Sequence, residues 1–527
     1  MNNIPENEKK ELTEEVADAS SEEFSTIFSD PTAHKKTAEN VKKKKRLPII
    51  IASFLAVAVL VGGTVGVIKL IPEKEDDTSA PTVEDIKVLE MESEDFKEAV
   101  VTNSNGVFKL YLDKVETEAL DSDKKEESSF WYLEGYSKDH INELTVGSKV
   151  GSLANITSTM EITKLTPADC GLDNPTCKVE FTTTKDEKFS VLIGKENIDK
   201  VSGGYYLKLS NSDKIYVVDD AYKSNFDFNE FDLANTDSLP HFELDSSYSN
   251  YKGDDGNIST FDTLTVTGSN FPKPVVIVPN TDEQLSSLAG FVVTSPTKRI
   301  AENVTALFEA FQKGVIVSGV YSFDVSNESL KKFGLDKPQF IATMKIGTKT
   351  LTHKFSLQED GNYAAIADGA TLIKKVPASN VPFAAYTEKD FYSTWVCLNS
   401  IDDLKSLSIV TPEKTYDFGI EANPDEESDD KYIITYNGTK IDCQSFQDFY
   451  QVAISVTCSD FTVDNLSAKE SYSFIFNFKD EIGGQNRIDF VKANDTRYQY
   501  KSDGVALGKV NSSAINKVIT ELKKLVK

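Results

Sequence analysis

Gly171-Leu172-Asp173-Asn174-Pro175-Thr176-Cys177-Lys178-Val179-Glu180-Phe181 returns 163 residues later as Gly334-Leu335-Asp336-Lys337-Pro338-Gln339-Phe340-Ile341-Ala342-Thr343-Met344. In both copies a Gly-Leu-Asp-x-Pro corner runs into apolar residues at every second position. Cys177, Val179 and Phe181 do so in one copy, and Phe340, Ala342, Met344 and Ile346 in the other, the period of a strand with one buried face. Downstream, Phe189 to Ile193 is echoed by Leu351 to Leu357, Tyr205-Tyr206-Leu207 by Tyr363-Ala364-Ala365, and Ile215 to Val218 by Leu372 to Val376. Upstream of each corner stands a helix-like stretch, about 139–156 and 301–313.

A third unit keeps this order without the motif. Strand-like Ser406 to Val410 and Tyr432 to Tyr436 precede a helix near Ser445 to Val456, and Tyr472, Phe474, Phe476 and Phe478 then alternate before Gly483-Gly484. Leu466-Ser467 stands near where Gly-Leu would be, and Ile515, Val518, Ile519, Leu522 and Leu525 share one face of a C-terminal helix. The expected fold is α+β: tandem β-rich repeats at 88–238, 239–400 and 401–527, mostly antiparallel sheets with helices. The corner itself reads as structural. Glycine permits positive φ and proline sets the chain for strand entry, so Gly171, Asp173, Pro175, Gly334, Asp336 and Pro338 frame a turn that drives Leu172 and Leu335 into a core.

Ahead of the repeats, Ile49 to Ile68 is a run of 20 uncharged, mostly apolar residues behind Lys42-Lys43-Lys44-Lys45-Arg46. A helix of that length spans about 30 Å, enough to cross a bilayer once. About 46 residues precede the run, which distinguishes it from a cleaved secretory signal. The basic cluster belongs on the cytoplasmic side. This predicts a cytoplasmic tail at 1–46, a transmembrane helix at 47–71, a charged stalk at 72–87 and a bulk that lies outside the cytoplasm. Ala58, Gly62 and Gly66 recur every four residues, the spacing that lets two membrane helices approach closely.

The formal charge of −27 lies beyond Pro72, because the residues up to that point carry ten basic and ten acidic side chains. So acidic an exterior disfavours nucleic acid and anionic lipid. Five cysteines, Cys170, Cys177, Cys397, Cys443 and Cys458, leave at least one unpaired, and the spacing leaves open whether Cys170 with Cys177 or Cys443 with Cys458 forms a bridge. His34, His140, His241 and His353 are scattered, without a metal-ligand motif. The acidic loops 254–257 and 425–430 lack the ligand order of an EF-hand and read as solvated turns. No nucleophile elbow, P-loop or dinucleotide fingerprint occurs, so no catalytic, cofactor or metal residue is expected.

Trp131-Tyr132-Leu133 ahead of a helix, the Gly171 corner, Ile193-Gly194, Tyr205-Tyr206 and Ile215-Tyr216-Val217-Val218 together resemble the domain-of-unknown-function family numbered 4340, over roughly 85–400 and best in 130–235. The second copy lacks a counterpart of Trp131. The resemblance implies a membrane-anchored bacterial protein accompanying ABC-type export systems of the gliding-motility kind, hence an accessory, non-catalytic role beside other membrane proteins. Two other readings stand beside it: a module binding cell surface or cell wall, which 51 Phe and Tyr residues would suit if exposed, and a wall hydrolase with convergent carboxylates.

Overall fold

Alternating burial along the strands builds three antiparallel sheets, one after another in the chain. The computed structural model describes residues 85–527 apart from 119–124, 159, 198–202, 283, 286–287, 426 and 468. The expected tail, membrane helix and most of the stalk, with Lys42 to Arg46, Ala58, Gly62 and Gly66, lie outside the described residues. Among the described residues no helix is long and apolar enough to cross a membrane.

The first unit begins with β1 (Ile86–Glu90), β2 (Phe96–Asn103), β3 (Gly106–Glu118) and β4 (Lys125–Leu133). Helix α1 (Glu143–Ala154) follows, then β5 (Asn155–Ser158), β6 (Met160–Ile162), β7 (Cys177–Thr183), β8 (Lys188–Glu196), β9 (Tyr205–Leu209), β10 (Ile215–Val218) and a short α2 (Asp220–Ser224). Its main sheet runs β4-β3-β2-β7-β8-β9-β10-β6, and β1 pairs with β5 apart from it.

The second unit holds β11 (Thr263–Thr267), β12 (Val275–Pro279), β13 (Phe291–Ser295), β14 (Arg299–Ile300), α3 (Thr305–Lys313), β15 (Gly319–Ser322) and α4 (Asn327–Lys332). It closes with β16 (Phe340–Ile346), β17 (Lys349–Leu357), β18 (Asn362–Ala367) and β19 (Ile373–Pro377). The third holds β20 (Leu404–Val410), β21 (Thr415–Ala422), β22 (Tyr432–Tyr436), β23 (Thr439–Ile441), α5 (Cys443–Ile454) and β24 (Cys458–Asp460). After these come β25 (Tyr472–Phe478), β26 (Gln485–Lys492), β27 (Arg497–Ser502), β28 (Val505–Asn511) and α6 (Ser512–Leu525). Their sheets run β14-β13-β12-β11-β16-β17-β18-β19-β15 and β23-β22-β21-β20-β25-β26-β27-β28-β24.

All three sheets obey one rule. A meander of three strands, extended by a short fourth in the second and third units, is followed by a helix, a short strand crosses to the far edge, and a four-stranded meander fills the gap between. Register makes the equivalence residue by residue: Ile193 faces Leu207, Phe355 faces Ala365, and Phe490 faces Tyr500, all buried on the helix-side face. Burying such a side chain stabilises by roughly 1.5–3 kcal/mol. The helices α1, α3 and α5 occupy the same place in each unit. Asn142 caps α1 by accepting from Thr145 N at 2.9 Å, and Asp442 caps α5 by accepting from Ser445 N at 2.8 Å.

Sequence periodicity misses the crossing strands β6, β15 and β24 and the edge strands β14 and β23. They are two to four residues long, too short for an alternation to register. The stretch expected as helix over 139–156 is α-helical only from Glu143 to Ala154, after a 3-10 turn at Lys138–His140, with Asn155 already in β5.

Packed contacts join successive sheets. Phe323, beyond β15, stacks on Phe231 at 5.2 Å and meets Tyr136 edge-on at 4.7 Å, while Lys374 Nζ donates to Asn235 O at 2.7 Å. Between the second and third sheets, the buried Arg299 lies over the Tyr392 ring at 3.9 Å and donates to Leu507 O at 3.2 Å. Cys458 N donates to Thr394 O at 2.6 Å in the same junction.

Candidate functional site

The Gly-Leu corners occupy the same point of the fold, in the connection from the crossing strand to the second meander. Gly171 has φ 72° and Gly334 φ 70°, the left-handed region that glycine adopts without strain. Each corner is closed by the same two hydrogen bonds. Gly334 N donates to Lys331 O and Leu335 N to Leu330 O, just as Gly171 N donates to Ala168 O and Leu172 N to Pro167 O. In the second unit this is the Schellman ending of α4, and in the first the same pair of bonds closes a turn that no helix precedes. Leu172 and Leu335, each 3% exposed, fill small cores on the sheet face away from the helices. Cys170, Tyr206, Ile215 and Val217 line the first, and Ala364 and Ile373 the second. Asp173 and Asp336 are exposed, Pro175 is half-buried and Pro338 buried. Nothing in either corner points a polar group toward a ligand.

The third unit fills the same place differently. Gln499 aligns with Tyr206 and Ala364 and is 2% exposed. Its side chain accepts from Asp464 N at 2.6 Å and donates to Asp464 O at 3.1 Å, pinning the connecting loop by hydrogen bonds. Beside it Arg487 Nε donates to Asp489 at 2.8 Å, and Ser473 Oγ donates to the same carboxylate at 2.5 Å.

Among the described residues, each carboxylate with a displaced pKa is displaced downward. Asp255 accepts from the Asn257 side chain and backbone, and Asp324 from Ser326 and Ser329. A general acid for glycoside hydrolysis needs the opposite displacement. All five cysteines are buried and unpaired, and burial pushes each thiol up, Cys397 to about 12.

His353 is buried in β17 against Phe311, with ring centroids 4.5 Å apart. Its Nε2 lies 2.9 Å from Pro240 O while Nδ1 has no partner, and burial lowers its pKa to about 4. His140 stacks near Phe323 and His241 lines a cleft; among the described residues no group of His, Cys, Asp and Glu could hold a metal ion. His34 lies outside the described residues.

That cleft, about 390 Å³, opens between the 241–259 loop and α3. Several of its polar groups are already engaged: Lys252 Nζ donates to Leu244 O at 2.5 Å, Lys313 pairs with Glu309 at 3.1 Å, and Asp255 closes its own turn onto Asn257. The second acidic loop behaves alike, with Asp425 accepting from Glu427 N and Asn423 Nδ2 donating to Asp430 O.

Trp131, at the end of β4, is buried beneath α1 where Gly147 gives it room: a Cβ there would stand 3.3 Å from the indole. From this tryptophan to the start of the 3-10 turn at Ser246–Tyr251 runs the stretch that decides the family likeness. Residues 131–247 match the family model of a domain of unknown function, DUF4340. The match takes in α1, β5 to β10 and the first corner, and is narrower than the expected 85–400, since the second copy lies outside it. The matched region thus covers the helix and second meander of the first unit; the other units share its topology and lie outside the match. No curated protein and no solved structure matches the chain.

Proposed function

We propose that the chain is a single-pass membrane protein, N-terminus in the cytoplasm, whose sheets outside it form a non-catalytic binding region serving as an accessory component of an ABC-type export complex. The observation that carries this is the triplicated sheet with packed junctions. One topology repeated three times, with conserved core geometry and differing outer faces, suits presentation of surface to a partner. The DUF4340 match supports the family connection from which the export association comes.

The wall-binding reading draws less support. Among the described residues the exposed large apolar side chains include one aromatic, Phe231, and it stacks on Phe323.

Purification of the intact protein in mild detergent tests the proposal. Co-elution of an ATPase and a permease is the expected result. A lone monomer in every detergent, with transport and envelope phenotypes unchanged on deleting residues 88–527, would overturn it. Orientation is tested separately: protease on wall-stripped cells should digest the region after Pro72 and spare an N-terminal tag.

A further inference from the structure

The second unit carries an insertion that the other two lack. Each unit opens with a short extended segment that bonds to the chain behind its helix: β1 on β5, Leu239 N to Val315 O at 3.0 Å, and Val396 N to Val456 O at 3.2 Å. From there the first unit reaches β2 between Glu90 and Phe96, and the third reaches β20 between Val396 and Leu404. The second runs from Leu239 to Thr263 before β11 begins, with a 3-10 stretch at Ser246–Tyr251 on the way. Connections of that length are uncommon in a compact domain and usually serve a function.

The insertion is held in one place. Lys349 Nζ donates to Glu243 O at 2.7 Å, Tyr251 Oη and Gly347 N donate to Asp262 at 2.8 and 2.7 Å, and Gln312 Nε2 on α3 donates to Ile258 O. So fixed, it walls the cleft of about 390 Å³, a volume in the range of small-molecule sites. Buried Phe242 and Ile258 and half-buried Leu244 give the cleft an apolar side. Its other lining includes two ammonium groups, Lys252 and Lys313, against one carboxylate, Asp255, the reverse of the balance in the chain as a whole. Lys313 is paired with Glu309 and Asp255 with Asn257, which leaves Lys252. Its bond to Leu244 O uses one of three N–H donors, and among the described residues no carboxylate forms an ion pair with it. Asp245, which its charge reaches, is held by Ser247 N and Oγ at 2.8 and 2.5 Å. His241, also lining the cleft, is exposed and has no hydrogen-bond partner among the described residues.

We infer that this cleft binds a small organic anion, a carboxylate or phosphate whose oxygens take the free N–H groups of Lys252 and the imidazole of His241 while its apolar flank rests on Phe242, Leu244 and Ile258. A cationic ligand would be repelled by Lys252. A purely apolar one would cover the ammonium without replacing its water, whereas an anion supplies charge-assisted hydrogen bonds there. The site goes beyond the accessory role and does not depend on it.

Intact protein in phosphatidylcholine nanodiscs, with empty nanodiscs subtracted, is titrated with butyrate, butyl phosphate, butylammonium and butanol by saturation-transfer NMR. Butyrate or butyl phosphate should bind with a Kd of about 1 mM and slow hydrogen exchange over 241–259, and butylammonium and butanol should bind about tenfold more weakly or not at all. The better anion names the source, a phosphate ester in one case and a carboxylate-bearing metabolite or peptide end in the other. Lys252→Met keeps the apolar stem and should weaken the anion by about tenfold; His241→Gln, which breaks no bond of the loop, should weaken it by about threefold. The comparison with butylammonium leaves the protein untouched, so a loosened loop in Lys252→Met cannot mimic the result. Equal affinity for butanol and the anions would mean an apolar hollow and overturn the inference. So would wild-type affinity in both variants, protection confined to residues outside 241–259 and α3, or no binding by either anion.

Discussion

The second and third sheets share every strand pairing yet close their outer faces by different physics. In the second, Leu335 drops into an apolar pocket behind a left-handed glycine; in the third, Leu466 has no positive φ and Gln499 clamps the Asp464 backbone instead. Topology is therefore kept by the strand order and the helix-side core, while the corner is a replaceable fastening. An apolar plug leaves a sequence signature because it needs glycine and leucine side by side. A glutamine clamp spreads its two partners 35 residues apart and leaves none.

The comparison breaks most sharply at the plugs. Leu335→Ala and Leu172→Ala each remove a buried side chain from a small cluster that cannot readily collapse, and each should cost about 3 kcal/mol. Leu466→Ala, at the half-buried apolar residue beside the corresponding place in the third unit, should cost about 0.5 kcal/mol or less. Urea unfolding followed by hydrogen exchange within each sheet measures all three. Comparable losses at Leu466 and Leu335 would mean that the third corner is plugged after all.

A second position divides the units on the helix side. Val191, His353 and Ile488 align two residues before Ile193, Phe355 and Phe490, so only the second core holds an ionisable group there. Folded His353 stays neutral down to about pH 4 because a proton on Nδ1 would be buried without an acceptor. The unfolded chain takes up its proton near pH 6.5. Stability of the second sheet is thus unaffected by this group above pH 6.5 and falls as pH drops toward 4, by about 3 kcal/mol in all. His353→Val should abolish that slope while lowering stability at neutral pH. An unchanged acid slope in the variant would place the sensitivity elsewhere.

The clamp gives a smaller effect than the plug. Gln499→Ala strands the Asp464 N–H and carbonyl beneath the loop and should cost about 2 kcal/mol, with faster exchange at Asp464. Gln499→Leu tests whether an apolar side chain can replace the clamp; recovery toward wild type would show that the two fastenings are interchangeable.

Much of this arrangement was legible in the chain. The alternations at Phe340–Ile346 and Tyr472–Phe478 are β16 and β25, and the helical patterns at 301–313 and near 445–456 are α3 and α5. Half-buried strands and one-sided helices write their periods into the sequence. What stayed illegible depends on distance or on brevity. The crossing strands are too short to show a period, and the Arg299 junction joins residues 208 apart. The histidine was visible in a strand-like run, but its burial against Phe311 was not.

The glycines of the two corners sharpen the comparison by the least. Both have positive φ, so alanine at either should cost about 1–2 kcal/mol from backbone strain alone. Their surroundings then diverge. A Cβ on Gly334 would stand 2.5 Å from the Ser356 hydroxyl, whereas on Gly171 it would meet the Lys195 backbone nitrogen at 3.2 Å. A hydroxyl can be removed and a backbone nitrogen cannot. Gly334→Ala should therefore recover part of its loss when combined with Ser356→Ala, a positive coupling of about 1 kcal/mol in a double-mutant cycle. Gly171→Ala combined with Lys195→Ala should show none, because truncating that side chain leaves the obstructing backbone in place. Equal coupling in the two corners would mean that strain at positive φ, and not the close approach of the neighbouring strand, accounts for the glycine in both.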